Sequence, residues 1–430
     1  MTNGMVDNNQ GNMLVITILP VHFGGGGSIH NIEVLKELNK RVEVEVVPSV
    51  TWNLVAAISN DNYKEKLLKV VDEHGLRLAE PVLTLFSQKY KTKYKRLDKS
   101  LYGSLLVREL AKLFQGKMYK VVYSQSEFII DLYLAARIGG LNRGFLTQGL
   151  WFTKDFITDM KLELATDYYK PWSFEFWKRM IYRSIFRNSV YHMIKRHKFN
   201  FILTVNPKLV EWNGLSRFND VEIEVVNPGN AYPAHILNRP EERKEQYFVY
   251  YGRLVPTKGL FIIPRIVKDV VKEHDDFKLF IFGSFPDETL RRKFFEKIYK
   301  LKIEDNIKYL GFLSDEEKFK IIAKAKGFLF PSLVDVHPLS ILESLALKTS
   351  VITTRLPTLE WLYHGLPAVK LCDNLRCFVQ NVKDIWRMEE SEYYAMFNDK
   401  QKMFLALHSD WKKVAEAETN LLLKFISYRK

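Results

Sequence analysis

Residues 13–47, MLVITILPVHFGGGGSIHNIEVLKELNKRVEVEVV, decide the fold. Met13 to Leu19 is short, rich in β-branched residues and free of charge, which suits a strand buried on both faces of a parallel sheet. Gly24 to Gly27 follow, and from Ser28 the apolar positions Ile32, Leu35 and Leu38 recur at helical spacing. Val42 to Val47 is a second strand. Strand, glycine loop, helix and strand make a βαβ unit.

The alternation continues outward. Strands are expected at Tyr119–Ser124, Gly144–Thr147, Phe201–Val205 and Val221–Val226. Helices are expected at Glu127–Ile138 and Phe174–His197. Residues 229–246, GNAYPAHILNRPEERKEQ, are polar and hold two prolines, so a linker is placed at 230–246. A second series then runs from a strand at Tyr247–Tyr251 to one at Ser350–Thr353. The expected fold class is α/β: two Rossmann-like, doubly wound parallel-sheet domains facing a cleft, at 13–229 and 247–405. A tail (1–12) precedes them and a C-terminal segment (406–430) follows. Ligands of such sheets bind beyond the carboxyl ends of the strands.

The 430 residues suit two or three domains, and 47% hydrophobic residues suffice for two cores. A balance of 64 Lys+Arg against 50 Asp+Glu gives +14, which favours an anionic partner without choosing it. The two cysteines, Cys372 and Cys377, read as reduced thiols and, without a nearby histidine, make no zinc site. Residues 1–12 lack the basic start and apolar run of a secretory signal, and no apolar run reaches membrane-spanning length. The expected location is the cytoplasm, with any membrane contact peripheral.

Two segments carry the chemistry. In Gly252-Arg253-Leu254-Val255-Pro256-Thr257-Lys258-Gly259, an arginine and a lysine lie just past a strand end, where a fork and a mobile point charge can hold a diphosphate. In Asp335-Val336-His337-Pro338-Leu339-Ser340-Ile341-Leu342-Glu343, an acid follows a buried strand and a second acid sits in an apolar helix. Burying Glu343 is costly unless something pairs with it, and a ribose diol offers two donors. The helix start near Pro338–Ser340 points its dipole at an anion.

The order GRLVPTKG, FGS, YLGF and PSLVDVHPLSILESLALKTSVI resembles the retaining nucleotide-sugar glycosyltransferases of the GT-B fold. It looks most like the glycogen-synthase-like and phosphatidylinositol-mannosyltransferase-like enzymes (family four), specifically across 247–365 and diffusely across 13–229. The resemblance implies that Arg253 and Lys258 bind the donor diphosphate, that Glu343 binds the ribose and that Asp335 contacts the transferred sugar. Gly252, Gly283, Phe312, His337, Leu339 and Ser340 fall in the same donor-side motifs. It also implies that the last helix, Trp411 to Ile426, packs back toward the N-terminal domain. Asp335 stands where the family usually has Glu, and Pro338 where it often has Gly, so a contact there passes to Leu339 or Ser340. Lys348 stands where the family often has a small residue.

On the N-terminal side, Gly26 and Gly27 resemble the family's glycine loop, which lets the donor or acceptor approach the backbone; the alternative is a flexible turn. Gln148 aligns with a position that commonly carries a sugar-contacting histidine, and it cannot titrate near neutral pH. His22, His30 and His337 are nearby histidines that read first as structural.

Two basic, aromatic stretches, 89–99 (KYKTKYKRLDK) and 172–198, read either as charged faces over an aromatic core or as docking surfaces for an anionic membrane. A nucleic-acid partner ranks lower because no recognised binding motif is present. The expected reaction is transfer of a hexosyl group from a nucleotide-diphosphate sugar to a glycan or lipid-linked acceptor, with retention and without a cofactor or metal. Two alternatives stay open: a nucleotide-sugar epimerase on the same fold, and a basic membrane- or nucleic-acid-binding protein with a degenerate donor site.

Overall fold

The computed structural model describes residues 12–21, 26–87, 99–149, 153–239 and 241–427. Among these residues twelve strands form two sheets of six, and every pairing is parallel. The first sheet runs β2-β1-β3-β4-β5-β6. Its strands are β1 (Asn12–Thr17), β2 (Glu43–Pro48), β3 (Met118–Ser124), β4 (Gly139–Thr147), β5 (Phe201–Thr204) and β6 (Glu222–Val225). The second runs β12-β11-β10-β7-β8-β9, with β7 (Glu245–Tyr251), β8 (Leu279–Phe282), β9 (Ile307–Tyr309), β10 (Ala325–Phe330), β11 (Ser350–Thr354) and β12 (Val369–Cys372).

The second order is the common doubly wound one, with its reversal between β7 and β10. The first sheet approaches the same order: Leu78 forms an isolated parallel bridge with Val46, where a further strand would lie outside β2. The expected two doubly wound parallel sheets are therefore observed. Their central strands are buried on both faces, as β1 and β10 show, because helices cover each side.

The last helix, Trp411–Ser427, packs on the first sheet's layer although it follows the second in sequence. Phe425 stacks on Phe201 at 3.9 Å, and Asn142 Nδ2 donates to the Phe425 carbonyl at 2.6 Å. Buried Glu418 lies 2.5 Å from His30 Nε2 and accepts from the Tyr123 hydroxyl at 2.8 Å. Elsewhere Asn206, fully buried, donates to the carbonyls of Val336 and Thr358 at 3.3 and 3.0 Å, joining the two sheets' loops. Val336 packs into the first sheet's core.

Candidate active site

The strand ends of the two sheets face one cleft of about 1550 Å³. On the second sheet's side, the loop after β7 and the loop after β10 are fastened together. Leu333 N–H donates to the Thr257 carbonyl at 2.9 Å, and the Tyr250 hydroxyl donates to the Lys258 carbonyl at 3.1 Å. Gly259 has φ +77°, and a Cβ there would collide with the Pro331 carbonyl, so only glycine lets the loops meet this closely. Gly283 likewise abuts the Gly252 backbone.

Lys258 Nζ pairs with Asp335 Oδ2 on the floor of this cleft and also reaches the Val334 carbonyl at 3.4 Å. Asp335 is held further by the Ser332 hydroxyl at 3.3 Å and by the Val336 N–H at 3.2 Å. The Arg253 side chain is exposed on the cleft wall and has no hydrogen bond or ion pair among the described residues. The helix Leu339–Ala346 begins with Pro338 at its N-cap and no side-chain cap, and Leu339 and Ser340 line the cleft. The first amides of a helix have no internal acceptor, so this end stands open to an anion.

On the first sheet's side, Gln148 Oε1 lies 3.2 Å from where a Cβ on Gly27 would sit, so the glycine helix and the β4 end meet here. Gln148 Nε2 is buried without a hydrogen-bond partner. The Gln148 N–H donates to Glu127 Oε2 at 3.1 Å. Glu127 lines the cleft and was not singled out by the sequence reading. Burial pushes its carboxyl up to about 7, against the lowering effect of bonds from Thr147, Gly149 and Gln148. Its signal was present in SQSEF: an acid at a strand's carboxyl end, directly before an apolar helix.

The cleft thus brings together Arg253, Lys258, Asp335, Gln148, Gly27 and Gly252, with His337, Leu339 and Ser340 beside them. Glu343, Gly283 and Phe312 do not line it. Glu343 is buried, but the protein itself supplies its partners: Lys318 Nζ at 3.2 Å and the Tyr251 hydroxyl at 3.4 Å. Burial raises its carboxyl, and Lys318 opposes that shift. Phe312 is 71% exposed after β9. Gly26 opens the Gly26–Asn39 helix, and its surroundings, like His22, lie outside what is described. His30 pairs with Glu418, while His337 is buried against His408 with both ring nitrogens unpartnered. Burial first, then His408, depresses His337 well below the usual histidine range, so it is neutral. Cys372 and Cys377 are free thiols. Lys348, unexplained by the sequence, reaches Glu241 at 2.6 Å.

Residues 235–360 match the model of the glycosyl transferases group 1 family. This stretch is similar to the group 1 glycosyl transferases. An uncharacterized glycosyltransferase of Methanocaldococcus jannaschii is 30% identical over 160 residues, which is 35% of this chain and 37% of that protein. A human (Homo sapiens) phosphatidylinositol N-acetylglucosaminyltransferase component is 24% identical over 192 residues, 43% of this chain and 39% of that one. The chain therefore spans under half the length of these relatives.

Solved structures extend the likeness in fold to nearly the whole chain. A glycosyltransferase from Rickettsia africae superimposes with a TM-score of 0.61 at 14% identity, over 98% of this chain and 100% of that one. HepE of Anabaena in complex with UDP-glucose gives 0.59 at 12%, over 96% and 99%. The architecture around the matching stretch is the GT-B fold. Among the described residues no three or more His, Cys, Asp and Glu are placed to hold a metal, and no helix is long and apolar enough to cross a membrane.

Proposed function

We propose that the chain is a retaining glycosyltransferase that moves a hexosyl group from a nucleotide-diphosphate sugar to an acceptor hydroxyl. The observation that carries this reading is the convergence of three anion-binding elements on one cleft: the free Arg253 fork, Lys258, and the open helix start at Leu339–Ser340. The group 1 match over 235–360 and a neighbour that binds UDP-glucose support it.

In this reading the diphosphate lies between Arg253 and the amides of Leu339 and Ser340. Lys258 turns from Asp335 to the phosphate, and Asp335 then faces the sugar. Glu343, outside the cleft lining while paired with Lys318, takes the ribose end by exchanging part of that contact. The unpartnered Gln148 amide meets a sugar hydroxyl, and Gly27 and Gly252 leave room for the ligand. The bond between the anomeric carbon and the phosphate oxygen breaks, and its electron pair leaves with the nucleotide. The acceptor oxygen bonds to the same face, and its proton passes to the departing phosphate. Cations preset where the negative charge grows stabilise that charge by several kcal/mol, and the reading assigns this work to them without a divalent metal.

The acceptor is a lipid-linked or other glycan presented at a membrane surface. The relative that acts on phosphatidylinositol and the basic surface of this chain favour that class. The test is turnover of UDP-, GDP- and ADP-sugars in chelator, with and without a membrane extract, read by NMR at the anomeric carbon. Acceptor-dependent release with retained configuration supports the reading. Acceptor-free conversion of the sugar would make the chain an epimerase.

A further inference from the structure

The helices Phe156–Ala165 and Phe174–Arg196 form a hairpin that buries charged side chains together with Phe176, Met180 and Phe186 and leaves a second set of large apolar side chains outside. Asp159 and Glu163, four apart on the first helix, are fully buried. They meet Arg179, Arg183 and Arg187, spaced at four on the second. Glu163 accepts from Arg179 at 2.9 Å and from Arg183 at 2.8 Å, and Asp159 pairs with Arg187 at 2.6 Å. The outer face is the reverse. Phe174, Trp177, Ile181 and Ile185 recur at three- and four-residue steps and are 79%, 47%, 58% and 59% exposed. Trp172, Phe156, Ile157 and Leu164 extend the same apolar surface.

Soluble surfaces rarely gather so many large apolar side chains, and such a patch marks an interaction face. Its polar fringe is cationic: Lys154, Lys161, Lys170 and Lys178 are exposed there, against Glu175. Aromatic rings ringed by lysines match the headgroup boundary of an anionic bilayer, where rings enter the interface and ammonium groups meet phosphates. The same long helix reaches the cleft, because Lys178, Arg179, Tyr182 and Arg183 line it.

We propose that this hairpin docks the protein on an anionic lipid surface, with the outer face from Trp172 to Ile185 entering the interface and the cleft mouth beside it. The placement rests on the glycosyltransferase reading only for its purpose: it brings a lipid-linked acceptor's headgroup to the cleft. The buried carboxylate–arginine seam, together with buried Phe176, Met180 and Phe186, holds the helices beneath this face.

The test is sedimentation of the full chain with vesicles of phosphatidylcholine alone or mixed with phosphatidylglycerol. The expected result is binding to the mixed vesicles, weakened by salt, with a blue shift of tryptophan emission. A variant carrying Trp172→Ser, Phe174→Ser, Trp177→Ser and Ile181→Ser should lose at least about tenfold in vesicle affinity while keeping its melting temperature and its nucleotide binding. Replacing Lys154, Lys161, Lys170 and Lys178 by Gln should abolish the preference for anionic vesicles. Equal vesicle binding by the wild type and the four-site variant would overturn the proposal, as would no binding by the wild type. So would a concentration-dependent dimer abolished by the variant, which gives the face to a second copy, or single-stranded DNA displacing the vesicles from it. Nucleotide binding that survives while vesicle binding fails sinks the docking face alone; the reverse pattern sinks the donor site alone.

Discussion

Lys258 and Asp335, supplied by loops 77 residues apart, close an ion pair on the floor of the cleft. The cation proposed for the diphosphate and the acid proposed for the sugar therefore neutralise each other when no ligand is between them. The pair is little exposed, so removing one partner leaves the other without its counter-charge.

Asp335→Asn removes the carboxylate that competes with phosphate for Lys258. Calorimetry should find the nucleoside diphosphate bound about as tightly or several-fold more tightly, while turnover falls by roughly 100-fold because the group facing the sugar is lost. A parallel loss of nucleotide affinity and turnover would place Asp335 in the phosphate site instead.

Glu127 sets a pH dependence of stability. Its carboxyl is held at about 7 in the fold, above the ordinary 4.5. Between these values the folded state binds more protons than the unfolded, so stability is full below about 4.5 and is lost as pH rises through about 7. The loss is on the order of 3 kcal/mol. Melting curves across this window should show that slope in the wild type and a flatter one in Glu127→Gln. Identical slopes would mean that Glu127 does not titrate there.

Glu418 ties the last helix to the glycine-loop helix through His30 and to β3 through Tyr123. Glu418→Ala strands both buried partners and should cost about 3–5 kcal/mol in denaturant unfolding. His30→Ala with Glu418→Ala should cost less than the sum of the two single changes. Strict additivity would show the two side chains to be uncoupled.

The sheets were legible because their strands are apolar runs bounded by glycine and proline. The loop chemistry was legible because Arg253, Lys258 and Asp335 follow such runs directly. No strand or helix was expected within 48–118; the helix Asp61–Glu73, for one, buries only Leu67 and Val71 and reads as polar chain. The partner that the protein itself gives Glu343 was not legible: Lys318 lies 25 residues earlier, and only the packing of two helices brings it near. The 172–198 stretch gave its composition but not its inversion, because the acids that draw its arginines inward sit on another helix. The basic stretch 89–99 lies outside the described residues except for Lys99.

The central claim is that a nucleoside diphosphate binds in this cleft through Arg253, an exposed side chain whose loss should leave the fold intact. The most direct test is titration calorimetry of UDP, GDP and ADP into the wild type and Arg253→Ala, in chelator. The account predicts that one nucleotide binds the wild type and that Arg253→Ala weakens it at least about tenfold, equivalent to 1.4 kcal/mol or more, with an unchanged melting temperature. Undiminished binding by Arg253→Ala, or no binding of any nucleotide to the wild type, would contradict it.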